Sequence, residues 1–150
     1  MSTADETLSL SVAQRQALDN AGEQWTPLRE QVFLALAAQP KPASAYDIAD
    51  SVSRTLGRRI APNTVYRMLD LFVQANLATR IESRNAYLAS AHPQHRHDCI
   101  FLVCEQCGET RHLDDDTLTD ALRARAAAQG YTALKPVLEV IGLCAACAAA

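Results

Sequence analysis

A chain of 150 residues, 49% hydrophobic and 21% charged, can form one compact domain or two small ones and has the composition of an ordinary soluble protein. No apolar run approaches the roughly 18 residues of a membrane span, and the acidic, polar opening MSTADETLSLS is unlike a secretory signal. The net charge of −3, taken alone, argues against general nucleic-acid binding, but its distribution does not: from Ser51 to Arg84 six arginines stand against two acidic residues, and from Ala91 onward five basic residues stand against eight acidic ones.

Capping residues and helical periodicity organise the first ninety positions. Ser11 with Gln14 has the form of a capping box, opening a helix that ends near Gly22. Thr26 precedes proline at the first helical position, and Leu28, Val32, Ala35 and Leu36 form an apolar stripe until Pro40 and Pro42 stop the helix. Ser44 and Asp47 make a second box, followed by Ala45, Ile48, Ala49, Val52 and Leu56 at helical spacing up to Gly57. The basic turn Gly57-Arg58-Arg59 then leads into a helix predicted from Pro62 to about Ala75. Two amphipathic helices joined by a tight glycine-containing turn is the helix-turn-helix pattern.

The helix after the turn has two faces. Val65, Met68, Leu69 and Phe72 fall on one arc, and Asn63, Tyr66, Arg67, Asp70 and Gln74 fall opposite. Core packing explains the first set, and solvation alone explains the second. Asn63 and Arg67 are also residue types that read base edges, because arginine pairs bidentately with guanine and asparagine with adenine. Thr64 and Tyr66 on this helix, with Arg58 and Arg59 on the turn, extend the expected DNA face. Leu77 to Glu82 and Ala86 to Ala89 alternate like a hairpin joined by Ser83-Arg84-Asn85, which makes a wing from which Arg80 and Arg84 reach phosphates.

The pattern breaks at AHPQHR, Ala91 to Arg96, within a hinge over 91–97, and a second module follows. Cys99 to Val103 is a short apolar strand running into a first C-x-x-C. Asp114 to Asp116 place acid at the start of a helix through about Gln129, where it suits the dipole, with Leu118, Ala121 and Leu122 predicted to face inward and Gly130 to end the helix. Val137 to Leu143 is a last strand into a second C-x-x-C. The two knuckles, Cys104/Cys107 and Cys144/Cys147, stand 36 residues apart, a spacing that completes a closed tetrahedral site, most suitably for structural zinc. Retention in a reducing compartment, the cytoplasm, favours metal over disulfides.

All four histidines, His92, His95, His97 and His112, cluster around the fifth cysteine, Cys99. On an extended chain His95, His97 and Cys99 point the same way, but residues four apart are about 13 Å from one another, so only near neighbours share a metal unless the chain bends. His97 with one neighbour, His112 from the next strand and His92 from the loop make a second, weaker zinc site of mixed nitrogen and sulphur donors. A histidine-rich solvated loop beside a buried cysteine is the plainer alternative.

These segments together resemble the ferric-uptake-regulator family of metal-responsive repressors, in particular its zinc-uptake branch. Thr26-Pro-Leu-Arg29, Ser44-Ala-Tyr-Asp47, Thr64-Val-Tyr-Arg-Met-Leu-Asp-Leu-Phe72, Cys104-Glu-Gln-Cys-Gly108 and Gly142-Leu-Cys-Ala-Ala-Cys147 carry the resemblance, in family order, over nearly the whole chain. It implies an α+β chain: a winged helix-turn-helix DNA-binding domain at 1–90, the hinge at 91–97, and a small α/β dimerisation domain with the four-cysteine zinc site at 98–150. It also implies a homodimer on double-stranded operator DNA, one structural and one regulatory zinc per chain, and repression of zinc-uptake genes when zinc is plentiful. By position, Tyr46 and Arg67 match DNA contacts and His97 a regulatory ligand. The chain departs from the zinc branch at Thr79 and Ser90, where relatives carry histidine and cysteine, and at His112, which replaces a glutamate. His95-Arg-His-Asp-Cys99 stands for a longer histidine run, so the regulatory site is expected to be rebuilt around Cys99 with His92 or His95.

Other classes fit less well. No H-x-E before a P-C-x-x-C, no H-E-x-x-H, no phosphate loop and no nucleophile elbow is present, which disfavours a metalloenzyme. A zinc-ribbon adaptor leaves the arginine-bearing helix without a role, whereas an iron, manganese or peroxide sensor keeps the whole pattern and changes only the metal.

Overall fold

Helix starts follow the capping chemistry closely in the computed structural model, which describes residues 9–90, 93, 98–132 and 136–150. Helix α1, Val12–Asn20, opens on a reciprocal box in which the Ser11 hydroxyl accepts from the Gln14 N–H at 3.1 Å and Gln14 Oε1 accepts from the Ser11 N–H at 2.8 Å. Helix α2, Pro27–Ala37, is capped by Thr26, and α3, Ala45–Leu56, by the Ser44–Asp47 box. Gly57 ends α3 with φ 67°, a left-handed conformation that glycine adopts without strain. Helix α4, Pro62–Gln74, has proline in its first turn and no side-chain cap at Ala61.

The chain divides into two compact units, 1–95 and 96–150. The first is held by an aliphatic core in which Leu18, Val32, Leu36, Ile48, Val52, Val65 and Leu69 are fully buried. An aromatic triangle sits within it: Trp25, Phe33 and Phe72 have ring centroids 5.5 to 5.8 Å apart. Edge-to-face pairs such as Phe33–Phe72 add about 0.5–1.5 kcal/mol beyond the area they bury. The Trp25 indole N–H donates to the Arg15 carbonyl at 3.1 Å, tying the segment before α2 to α1.

Strands β1, Ala78–Ile81, and β2, Ala86–Ala89, pair antiparallel with Ile81 opposite Ala86. The turn between them is a 3-10 segment, Glu82–Arg84, followed by Asn85 at φ 46°. An isolated bridge between Ala43 and Tyr87 joins this hairpin to the start of α3. Tyr87 is fully buried, and its hydroxyl donates to Asp70 Oδ1 of α4 at 3.1 Å. Asp70 and Tyr66, placed by periodicity on a solvated face, are thus engaged with the hairpin, because that hairpin folds back along α4.

The second unit is a three-stranded sheet ordered β4-β3-β5. Strand β3, Cys99–Cys104, is central; β4, Thr110–Leu113, pairs antiparallel with it and β5, Val137–Gly142, pairs parallel. Helix α5, Asp116–Ala128, is capped by Asp115, which accepts from the Leu118 N–H at 3.2 Å. The expected inward stripe is wrong here: Leu118 and Leu122 are 51% and 40% exposed and Ala121 is exposed, whereas Thr119 is buried. The stripe one position on takes the inner place, with Arg123 bonded to Asp98 at the base of β3. Among the described residues, the large apolar side chains left exposed all belong to this unit except Val12 and Tyr46.

Burial, reinforced by the Asp70 carboxylate, pushes the Tyr87 hydroxyl from 10.0 up to about 12. The neutral phenol's contribution to stability is therefore complete below pH 10 and is lost as pH rises through 12. In urea unfolding, wild type is expected to be more stable than Tyr87→Phe by a constant margin up to pH 10, and the margin should shrink and vanish by about pH 12. A margin independent of pH across that window would exclude this bond as a stabilising element.

Candidate metal centre and nucleic-acid face

Because β5 runs parallel to β3 with Gly142 beside Cys104, both C-x-x-C turns leave the sheet at the same end. Cys104 is the last residue of β3 and is buried; its N–H donates to the Glu109 carbonyl at 2.8 Å, closing the first knuckle around Cys107. Gly108 completes that turn at φ 81° and donates to the Cys104 carbonyl at 3.0 Å. Opposite, Cys144 caps the short helix α6, Ala145–Ala148, and Cys147 lies within it. The Glu105 N–H donates to the Gly142 carbonyl at 2.8 Å, joining the first knuckle to the end of β5.

The four ligand atoms of Cys104, Cys107, Cys144 and Cys147 lie within 4.8 Å of one another, and the Cys107 and Cys144 sulphurs are 3.8 Å apart. Sulphurs at 2.3 Å from a tetrahedral zinc ion stand about 3.8 Å from each other, so the cage fits that ion. Its protonation fits as well. Backbone N–H groups of Cys107 and then Cys144 lower the Cys104 thiol from 9.0 to about 6. Cys147 is pushed up to about 12, first by its contact with the Cys144 thiol and then by burial. Bonds from Cys147 pull Cys144 down, but burial and the thiols of Cys104 and Cys107 leave it raised overall. The Cys104 thiolate forms readily while Cys144 and Cys147 resist, a conflict that a divalent cation among them removes. Four protein ligands leave no open coordination position, so the centre is structural. No disulfide joins any of the five cysteines.

His92, His95 and His97 lie outside the described residues. Of the remaining hinge candidates, Cys99 opens β3 and shares a face with Phe101, which stands opposite His112 on β4. Cys99 and His112 therefore lie on one side of the sheet. The His112 ring is 5.2 Å from Phe101, and its Nε2 is 3.3 Å from Asp114 Oδ1. Among the described residues the four cysteines form the only cluster of three or more potential metal ligands.

In the first unit Asn63 and Arg67 are exposed on the first turns of α4, Thr64 is half-buried between them, and Arg58 and Arg59 are exposed on the turn before it. Tyr46 on α3 is 63% exposed. Among the described residues no carboxylate pairs with Arg58, Arg59 or Arg67, so their charge is available to an external anion. On the hairpin Arg84 is exposed, whereas Arg80 lies 3.6 Å from Glu82 and donates to Asn85. Tyr66, half-buried, accepts from Asn85. Residue type alone carried no signal for that bond, since it joins positions 19 apart.

The model of the ferric uptake regulator family matches residues 20–141. The zinc uptake regulation protein of Escherichia coli (strain K12) is 32% identical over 123 residues, which are 81% of this chain and 71% of that protein. A ferric uptake regulation protein of Vibrio parahaemolyticus is 34% identical over 134 residues, 86% of each. Among solved structures, holo XcZur is 38% identical, with a TM-score of 0.77 over 91% of this chain and 94% of that one. A zinc uptake regulator complexed with zinc and DNA is 27% identical, with a TM-score of 0.78 over 93% and 97%. The ferric uptake regulator of Vibrio cholerae, at 31% identity, gives 0.59 over 87% and 98%.

Structural zinc sites contribute on the order of 10 kcal/mol of folding free energy. Cys104→Ser is expected to lose about one zinc per chain by metal analysis and to abolish cooperative melting of the second unit by circular dichroism and calorimetry. Retention of both the metal and the transition would remove Cys104 from the site.

Proposed function

The chain belongs to the ferric uptake regulator family, and we propose that it is a zinc-responsive transcriptional repressor that binds operator DNA as a homodimer and represses zinc-uptake genes in the cytoplasm. It is a regulator and not an enzyme. The observation that carries this reading is the pairing, in one chain, of a four-sulphur cage with an exposed arginine-bearing helix. Support comes from similarity to a regulator solved with zinc and DNA.

In this reading 1–90 is the DNA-binding domain, 91–97 the hinge and 98–150 the dimerisation domain. Cys104, Cys107, Cys144 and Cys147 hold the structural zinc. Cys99 and His112, on one side of the sheet, hold the regulatory zinc together with His97 and either His92 or His95. Asn63 and Arg67 approach base edges, while Thr64, Tyr66, Tyr46, Arg58, Arg59 and Arg84 position the backbone. Zinc at the hinge favours the arrangement in which two recognition helices meet half-sites about 34–36 Å apart or a multiple of that. Zinc and DNA then select the same state, so each tightens the other by one common factor.

The exposed apolar surface of the second unit supplies the dimer. Strand β5 is a sheet edge and carries Val137, Val140 and Ile141, each more than half exposed. An edge of this kind is covered in stable proteins, here by the same strand of a second copy.

Fluorescence anisotropy with the gene's own upstream DNA across buffered free zinc tests the reading, with iron(II) and manganese in parallel. Binding restored by zinc alone is the expected outcome; restoration by iron or manganese would keep the family and overturn the zinc branch. His97→Ala should weaken zinc-dependent binding at least tenfold and leave the dimer folded, and an unaltered zinc response would remove His97 from the site. Separately, Val140→Asp is expected to shift the protein from dimer to monomer in sedimentation at micromolar concentration. A variant that remains dimeric would place the interface elsewhere.

A further inference from the structure

Side chains of the hairpin bond to α4 in an arrangement that DNA binding by α4 does not itself require. Asn85, at φ 46° and ψ 49°, adopts the left-handed conformation that asparagine tolerates better than most residues. Its carboxamide thereby lies between two partners: Nδ2 donates to the Tyr66 hydroxyl at 3.0 Å, and Oδ1 accepts from Arg80 Nη2 at 2.9 Å. A guanidinium has donors only, so Arg80 fixes the amide oxygen towards itself and the amide NH2 towards Tyr66. The Tyr66 ring stands edge-on to Tyr87 with centroids 6.2 Å apart. Tyr87 in turn is anchored on Asp70. Tyr66 is thus held at both ring and hydroxyl. Among the described residues its hydroxyl accepts a bond, while its own proton meets no acceptor.

We propose that Asn85 is a positioning residue for DNA binding: by donating to the Tyr66 hydroxyl it leaves the phenolic proton for a phosphate oxygen of the bound duplex. The inference rests on the reading of the chain as a DNA-binding repressor and adds to it a residue that touches no DNA. A hydroxyl that already accepts a hydrogen bond is polarised into a better donor. A phosphate oxygen, which only accepts, is the partner such a hydroxyl lacks. The bond also makes the hairpin and α4 present one surface, so that a backbone contact at Tyr66 and base contacts at Asn63 and Arg67 keep a constant register.

The test uses the zinc-loaded full chain and its upstream DNA, with wild type, Tyr66→Phe, Asn85→Gly and the double variant. Glycine keeps the left-handed backbone and removes only the carboxamide. Each single substitution is expected to weaken binding about 3- to 10-fold, the worth of one neutral hydrogen bond. The double variant should be no weaker than Tyr66→Phe, because both remove the same contact. The salt dependence for Tyr66→Phe should match wild type, since a neutral hydroxyl displaces no counterion. Asn85→Asp keeps the Arg80 partner but turns Tyr66 into the donor of the internal bond, so affinity should fall at least as far as in Tyr66→Phe with zinc content and melting temperature retained. Asn85→Gly binding as tightly as wild type, or effects of the two singles that multiply in the double, would overturn the proposal and leave the repressor reading standing. Failure of zinc-loaded wild type to bind the fragment would overturn both.

Discussion

Four sulphur atoms confined within 4.8 Å of one another cannot all carry negative charge unless a cation sits among them. That constraint governs the second unit. Helix α5 buries a threonine and not its leucines, and Val137, Val140 and Ile141 of the edge strand β5 are each more than half exposed. Hydrophobic burial within a single copy is therefore modest, and two other sources of stability take over. One is the metal that the cage of Cys104, Cys107, Cys144 and Cys147 fits, at the ends of β3 and β5; in the proposed dimer the other is a second copy of the same surface. Small domains with sparse cores commonly depend on such cross-links.

The first unit has a different basis. Its aliphatic core is complete within one chain, and the aromatic triangle of Trp25, Phe33 and Phe72 joins α2, α4 and the segment between α1 and α2. Helix α4 buries Val65, Leu69 and Phe72 fully, which leaves Asn63 and Arg67 on its outward side by helical geometry alone. The hairpin is then fixed by Tyr87, whose buried hydroxyl bonds to Asp70 of the same helix. A surface that reads DNA needs its base contacts held in place by packing, since errors on the order of an ångström lose hydrogen bonds.

Much of this was legible in the chain because capping and metal ligation are local. Ser11 with Gln14, Thr26 before Pro27, and Ser44 with Asp47 each set a helix start through bonds spanning three residues. The two cysteine pairs were legible for the same reason, and the parallel strand pairing that unites them follows from the long helical crossover between. What periodicity gives is a face, not the thing that covers it. Leu118, Ala121 and Leu122 form an apolar stripe whose periodicity predicts an inward face, yet in one chain the neighbouring stripe with Thr119 and Arg123 is the inner one. Tyr66 and Asp70 show the same limit from the polar side: both fall on the outward face, and Asp70 is exposed there, yet bonds across 19 and 17 residues engage them with the hairpin. Such contacts are decided by tertiary placement, which no local pattern records.

The charge distribution completes the argument for a metal-dependent reader of DNA. Non-specific affinity scales with the number of phosphates neutralised, and a chain of net charge −3 has little to spare beyond the six arginines between Ser51 and Arg84. The second unit is acidic, and a zinc ion held by four thiolates remains a dianion, so this unit is repelled by the phosphate backbone. Duplex DNA is thereby favoured at the first unit and disfavoured at the second. Low background affinity has a regulatory consequence. A coupling free energy of about 1–3 kcal/mol between zinc and DNA changes affinity roughly 5- to 150-fold. That factor governs operator occupancy only if the metal-free chain is not already held on DNA by unspecific charge. An acidic chain with an excess of positive charge between Ser51 and Arg84 meets that condition, whereas a uniformly basic one would blunt the response to zinc.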